Sequence, residues 1–98
     1  MSFGVWLIYK IKYHKSVKED LNEIDNLSKI RIKRAIKTRL PVEPIKFGEP
    51  LKGNLKGFRK LKIGDDCRIV YKVAEEEISI LGIKHRKDIY DAIKNREH

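Results

Sequence analysis

The chain has 98 residues, with 23 Lys and Arg against 14 Asp and Glu, giving a formal net charge of +9. This length predicts a single domain over residues 1–98 with a small core. The only cysteine, Cys67, excludes a disulfide framework and a Cys-rich zinc site, and it fits a reducing cytoplasm. The longest apolar run, residues 3–9, falls far short of the ~20 residues that a transmembrane helix needs. We therefore expect a cytoplasmic domain with no membrane contact and a polyanionic partner.

Hydrophobic periodicity predicts a strand and a helical hairpin in the N-terminal half. Residues 5–13 alternate with a period of two and are rich in aromatic and β-branched side chains, as is typical of a strand. Ser16 and Glu19 fit a capping box at the start of a first helix, and Ser28 is a second N-cap candidate. Residues 17–40 are thus expected to form an antiparallel hairpin, whose basic outer face would be a general docking field for RNA or the ribosome.

The C-terminal half has the pattern of a strand meander followed by a helix. A loop over residues 41–57 contains all three prolines. The predicted order is β-α-α-β-β-β-α, an α+β fold with a small antiparallel sheet and its helices gathered on one face. The three meander strands are predicted at residues 58–63, 67–73 and 77–83, and the last helix at residues 86–96.

Basic side chains gather on one surface of this predicted sheet. Lys60 and Lys62 share one face of their strand, and the turn at Gly64 brings Arg68 of the next strand near them. Charged strand faces are often simply solvated, and they discourage edge-to-edge aggregation. The alternative is a phosphate cradle, in which fixed cations stabilise the charge of a phosphoryl-transfer transition state.

A second group of candidate residues follows the third meander strand. His85 supplies an acid/base group, Arg86 an anion clamp, and Tyr90 a phenol that can stack on a base. No set of Asp, Glu or His residues has the spacing of metal ligands, so we expect chemistry without a metal or other cofactor. The sequence also lacks a Gly-rich phosphate loop and a nucleophile elbow.

Together these stretches resemble the RelE/ParE superfamily of toxins from bacterial and archaeal toxin–antitoxin systems. The resemblance covers about Val5 to Ile93 and implies a RelE-like fold with an N-terminal helical hairpin packed on one face of the sheet. It is carried by Pro50-Leu51-Lys52-Gly53 with Gly57, by residues 58–65, by Cys67-Arg68-Ile69-Val70-Tyr71-Lys72-Val73, and by Lys84-His85-Arg86-Lys87-Asp88-Ile89-Tyr90.

RelE-like members are metal-independent endoribonucleases that cleave messenger RNA in the ribosomal A site. The second arginine of the family falls on either Lys84 or Arg86 of this chain. Attack by the ribose 2′-OH would give a cyclic phosphate, so DNA would not be cut. The resemblance implies catalytic roles for Lys60, Lys62, Arg68, His85, Arg86 and Tyr90. Contacts to RNA or the ribosome are expected from Lys52, Lys56, Arg59, Lys72, Lys84 and Lys87.

Two other functions are compatible with the sequence. ParE-like members have the same fold but inhibit DNA gyrase and are not nucleases; the basic set retained here favours the nuclease. The third hypothesis is a basic domain that binds RNA or the ribosome without cutting it. Under both toxin hypotheses the resemblance implies a cognate antitoxin, a small acidic protein with an amphipathic helix, in a heterotetramer or larger complex.

Overall fold

The computed structural model describes residues 9–96, which form a five-stranded sheet and four α-helices. The predicted order of elements is confirmed, and a short helix and a two-residue strand are added within the loop. Residues 5–8 of the first predicted strand lie outside the described residues. The elements are β1 (Lys10–Tyr13), α1 (Val17–Asn22), α2 (Asn26–Thr38), α3 (Pro44–Phe47), β2 (Glu49–Pro50), β3 (Arg59–Ile63), β4 (Cys67–Ala74), β5 (Glu77–His85) and α4 (Ile89–Lys94).

The strands lie in the order β1-β5-β4-β3-β2. The predicted meander of β3, β4 and β5 is antiparallel, whereas β1 pairs in parallel with the first half of β5, up to Ile80. Gly64 opens the turn between β3 and β4 with φ 63°, a left-handed conformation that glycine adopts without steric cost. Within residues 9–96, no helix is long and apolar enough to cross a bilayer.

Both faces of the sheet are covered, so the expectation that all helices gather on one face is wrong for α4. Side chains alternate along β4: Ile69 and Tyr71 belong to the core shared with α1 and α2. Val70 points to the opposite face, where it packs with Ile89 and Ile93 of α4. A strand that is apolar on both faces requires a cover on each. The hairpin therefore lies on one face, as expected, and the C-terminal helix on the other.

Neither predicted helix cap is found. The Ser16 side chain makes no cap hydrogen bond, and its backbone N–H donates to His14 Nδ1 at 3.1 Å instead. Helix α2 is capped by Asp25, whose carboxylate accepts the Ser28 N–H at 3.0 Å. Asp25 has the extended backbone that an N-cap needs, whereas Ser16 is already helical. The bond from Ser28 lowers the pKa of Asp25.

Tyr71 ties the loop around α3 to the centre of the sheet. Its side chain is fully buried, and its hydroxyl donates to the Pro44 carbonyl oxygen at 2.6 Å. Gly48 lies against the same hydroxyl, where no Cβ could be accommodated. The loop that carries β2 is therefore held at a fixed position beside β3.

Tyr71→Phe is expected to lower the free energy of unfolding by about 1 kcal/mol, because the buried Pro44 carbonyl loses its donor. Urea denaturation measures the loss, and Tyr13→Phe is the matched control, since Tyr13 is 53% exposed. Equal stability of the two variants would show that this hydrogen bond does not hold the loop.

Candidate nucleic-acid-binding site

Three cations lie side by side across the middle of the sheet. The strand register pairs Lys62 of β3 with Arg68 of β4, and Arg68 with Lys84 of β5. Lys60, two residues before Lys62, lies on the same face of β3. Like charges on directly opposed strand residues are destabilising. This row therefore costs stability unless an anion, from the protein or from a ligand, lies on it.

Arg68 is the most buried member of the row. It is only 8% exposed, and its Nη1 donates to the Cys67 carbonyl oxygen at 2.8 Å. Among residues 9–96, no carboxylate pairs with it. A guanidinium has five donors in a planar fork, and an unpaired charge at such a depth is costly. Arg68 is thus placed to bind an oxyanion with two parallel hydrogen bonds.

The two lysines of β3 share one carboxylate, Glu49 of β2. The Lys60 Nζ lies 3.8 Å from Glu49 Oε1, and the Lys62 Nζ lies 4.0 Å from Glu49 Oε2. Both distances are long for an ion pair, and Lys62 and Glu49 are each more than half exposed. Glu49 gives the basic face a proton acceptor. No sequence pattern predicts this position, because only the pairing of β2 with β3 brings Glu49 beside Lys60.

Aromatic side chains border the same face. Tyr90 is half-buried and packs against the cluster of Val70 and α4. The Lys72 Nζ lies 5.9 Å from the centre of the Phe58 ring, a cation–π contact. Rings beside cations can stack on unpaired bases while the cations hold the backbone. The predicted residues Tyr90 and Lys72 therefore lie on the face of Arg68, and Phe58 joins them.

His85 does not lie with the other candidate catalytic residues. It ends β5 opposite Cys67, on the face that carries the helical hairpin. Its Nε2 lies 3.8 Å from Asp66 Oδ1, and its Nδ1 accepts the Lys87 N–H at 3.1 Å. These contacts hold the ring at the turn between β3 and β4. His85 is therefore separated by the sheet from Arg68.

The structure distinguishes Lys84 from Arg86, the two candidates for the second arginine position. The Lys84 Nζ lies 3.0 Å from Glu23 Oε1 and 3.6 Å from Asp20 Oδ1. The hydrogen bond to Glu23 raises the pKa of Lys84. Arg86 follows β5, its side chain is exposed, and no residue of the described chain forms an ion pair with it. Arg86, not Lys84, is therefore available to an anion.

The residues predicted to contact RNA are of two kinds: one supports a loop, and the others are exposed. Arg59 donates from Nη2 to the carbonyl oxygens of Ile45 and Gly48, at 2.9 and 3.4 Å, so it braces the α3 loop. Three lysines are exposed and make no ion pair with any residue between 9 and 96; they are Lys52 and Lys56, on either side of a 3₁₀ turn at Gly53–Leu55, and Lys87 before α4.

Solved structures that share this fold show which class of protein has it. A chain of the toxin–antitoxin complex RelBE2 from Mycobacterium tuberculosis superposes with a TM-score of 0.74 at 22% identity, covering 81% of this chain and 99% of that one. The RelB–RelE complex of Methanococcus jannaschii gives 0.68 at 23% identity, with 83% and 96% covered. The archaeal RelE–RelB complex of Pyrococcus horikoshii gives 0.61 at 28% identity, with 81% and 96% covered. The fold is therefore that of small toxins held in toxin–antitoxin complexes.

The family is identified by sequence. The family model described as the ParE toxin of the type II toxin-antitoxin system parDE matches residues 11–90. The chain therefore belongs to this family, within the RelE/ParE superfamily, and the resemblance drawn from its motifs is confirmed. A comparison with curated proteins finds no match.

Proposed function

We propose that this type II toxin is a cytoplasmic endoribonuclease that cleaves messenger RNA on the ribosome without a metal, and that a cognate acidic antitoxin neutralises it. The observation that carries the proposal is the environment of Arg68. Its guanidinium is almost buried, has no carboxylate partner among residues 9–96, and lies in a row with another cation, Lys62. A bound phosphodiester would neutralise this buried charge and accept hydrogen bonds from the guanidinium.

Side chains on this face, together with the exposed Arg86 that follows β5, can supply each part of a phosphoryl transfer. The ribose 2′-oxygen attacks the adjacent phosphorus, its bond to phosphorus forms, and the bond from phosphorus to the 5′-oxygen breaks. The 2′-OH proton passes to the Glu49 carboxylate, and the 5′-oxygen takes a proton from Lys60 or from Tyr90. Arg68 and Arg86 hold the doubly charged phosphorane, where electrostatic stabilisation is most effective. The requirement for a 2′-OH restricts the reaction to RNA.

Inhibition of DNA gyrase is the second candidate function, because the matching family model is named for ParE. A gyrase inhibitor needs a protein-binding surface but no proton acceptor next to the cations. The contact of Glu49 with both Lys60 and Lys62 therefore favours the nuclease.

The deciding experiment adds the full-length protein to a reconstituted translation reaction and maps the message by primer extension. We expect discrete cuts within the coding frame that require ribosomes. A parallel assay measures supercoiling of a relaxed plasmid by gyrase. Intact message with inhibited supercoiling would establish the ParE-like activity. Arrested ribosomes on intact message would indicate a domain that binds RNA or the ribosome without cutting.

Glu49→Gln is expected to slow cleavage by about 10²–10⁴-fold, the usual contribution of a positioned proton-transfer group. Because the Glu49 side chain is 59% exposed, the melting temperature should change little. Glu43→Gln is the matched control: Glu43 is also about half exposed and pairs with a lysine, Lys46, at 3.6 Å. If both variants cleave at the wild-type rate, Glu49 is not the proton acceptor.

A further inference from the structure

A second row of side chains crosses the sheet on the same face as Arg68, toward the other end of β4. The strand register places Lys12 of β1 beside Ser79 of β5, and Ser79 beside Lys72 of β4. Lys72 follows Arg68 by four residues, so strand alternation puts both on one face, about 13 Å apart along β4. Phe58 comes directly before β3, and its ring lies under the Lys72 ammonium. This second row therefore runs parallel to the cation row.

The second row lines a cleft with a volume of about 380 Å³. Pockets that bind small molecules usually have about 300–1,000 Å³. Phe58 forms one wall, and its main chain is fixed on both sides: its N–H donates to the Leu55 carbonyl oxygen at 3.1 Å, and its carbonyl oxygen accepts the Leu51 N–H at 2.9 Å. Ala74 and Leu81 add apolar surface. A ring held in this way is a platform on which a planar ligand can stack.

The polar groups of the cleft favour an anionic ligand. Glu77 is the one acidic residue among those that line it, and the Glu77 Oε2 lies 3.1 Å from the Lys12 Nζ. Lys72 is half-buried, and no carboxylate in the described part of the chain pairs with it. The Ser79 hydroxyl forms no hydrogen bond with any residue between 9 and 96. The cleft thus combines an unpaired cation and an unpartnered hydroxyl with the ring of Phe58.

We propose that this cleft binds one unpaired nucleotide of the RNA, with its base stacked on Phe58, its phosphate held by Lys72 and Lys12, and its base edge contacted by the Ser79 hydroxyl. Cations beside a stacking ring are the usual means of holding single-stranded RNA. The ammonium of Lys72 is carried on a flexible four-carbon stem, so it can move from the ring to a phosphate as the base takes its place. The inference rests on the proposed function for its ligand, and it adds a site that selects sequence.

The separation of the two rows suits one continuous strand of RNA. A stacked strand advances about 3.4 Å per nucleotide, so the distance of about 13 Å from Arg68 to Lys72 corresponds to at most about four nucleotides. The apolar cluster around Val70 and α4 lies between the rows, with the half-buried Tyr90 packed against it. The cleft is therefore placed to read a base a few positions away from the scissile phosphate, and cleavage should depend on the identity of that base.

The binding test uses the full-length protein, isotopically labelled for NMR, with adenosine 5′-monophosphate and inorganic phosphate as probes. The nucleotide should shift the amide signals of Lys72 and Ser79 and move the ring-proton signals of Phe58 upfield, because a stacked base shields them. Inorganic phosphate should leave the ring signals unchanged. The nucleotide shifts should persist in Arg68→Ala, because that guanidinium belongs to the other row. Equal ring shifts with both probes, or shifts confined to the surroundings of Arg68, would overturn the proposal.

Side-chain changes test the same site by fluorescence anisotropy with a 2′-O-methylated RNA of about six nucleotides, which lacks the 2′-OH needed for cleavage. Phe58→Leu should weaken binding about 5- to 100-fold, and Phe58→Tyr should retain it. Lys72→Gln should reduce the slope of log K against log salt concentration by about 0.7, the contribution of one phosphate contact on a single strand. Melting temperatures show whether each variant is folded.

The matched controls lie on α3, outside the cleft. Phe47→Leu removes a ring that is 39% exposed, and Lys46→Gln removes a lysine that is 71% exposed. Both should bind the RNA like the wild type. Equal losses in the cleft variants and in these controls, or no loss in any of them, would show that the cleft does not hold a nucleotide.

Cleavage is measured separately, so the two hypotheses can fail independently. If the nucleotide binds the cleft while ribosome-bound message stays intact, the nuclease hypothesis fails and the nucleotide site stands. If message is cut with the same base preference by the wild type, Phe58→Leu and Ser79→Ala, the cleft does not read the message and the proposal falls. Nuclear Overhauser contacts between Phe58 and Trp6 in the free protein would assign the cleft to the chain's own N-terminus, and displacement of the RNA by an acidic peptide that shifts Lys72 and Ser79 would make it a protein-binding surface; either result overturns the proposal.

Discussion

Replacing Arg68 by alanine is expected to lower the rate of cleavage of ribosome-bound messenger RNA by about 10³-fold or more, the range found when an arginine that stabilises a phosphoryl-transfer transition state is removed. The fold should survive. Arg68 has no carboxylate partner among the described residues, so its removal leaves no buried anion behind and relieves repulsion with the cations paired to it on β3 and β5.

The measurement is single-turnover primer extension with the variant in excess over ribosomes, together with its circular dichroism and melting temperature. Arg68→Lys keeps the charge but loses the bidentate fork, so it should recover only part of the rate. Lys94→Ala is the control: Lys94 lies on α4, is 62% exposed and pairs only loosely with Asp91. A folded Arg68→Ala variant that still cleaves at the wild-type rate would remove the proposed site.

The part of the cation row on β3 and β4 could be predicted because it depends on local pattern alone. Period-two alternation and one tight turn are enough to place Lys62 opposite Arg68, and the structure confirms that register. The position of Glu49 could not be predicted in the same way. It lies in a loop rich in proline and glycine, and only the bond from Tyr71 to Pro44 and the bonds from Arg59 to the loop carbonyls fix that loop beside β3.

His85 shows the limit of reasoning from neighbours in sequence. Strand alternation directs adjacent side chains to opposite faces, so His85 could share a face with Cys67 or with Arg68, depending on the register of β5 against β4. That register shifts between Val70 and Tyr71, where β5 has an extra residue. An irregularity of this kind leaves no mark in the sequence pattern.

The position of Asp20 on α1 carries a signal in the sequence, although no buried ion pair was predicted from it. It follows Val17 by three residues and so lies on the apolar side of α1, where a charge needs a buried partner. The partner is Arg96, whose Nη1 and Nη2 each lie 2.7 Å from an Asp20 oxygen. Arg96 follows the last helix, and nothing in its local sequence links it to α1.

Asp20→Ala is therefore expected to destabilise the protein by about 3–5 kcal/mol, the cost of breaking a buried ion pair by removing one partner. The Asp20 carboxylate is 2% exposed, and it also accepts the Ile83 N–H at 3.1 Å. That N–H faces the edge of β5 beyond the reach of β1, so no strand replaces the lost acceptor. Asp25→Ala, which removes an exposed helix cap, should cost much less and serves as the control.

The same carboxylate predicts a pH dependence. Burial alone would raise the pKa of Asp20, but the hydrogen bonds from Arg96 and Ile83 and the charges of Arg96 and Lys84 outweigh it, so the pKa lies below 3.8. A depressed folded-state pKa gives stability that is fully present above the pKa of the unfolded chain, about 3.9, and is lost as the pH falls through the folded value. The free energies of unfolding of the wild type and Asp20→Asn, measured by urea denaturation, should thus differ widely at neutral pH and converge in acid. Asn cannot titrate, so its free energy of unfolding lacks this pH dependence. If the difference in the free energy of unfolding between the two proteins stays the same from neutral pH to below the folded pKa, the ionised carboxylate is not what joins α1, β5 and Arg96.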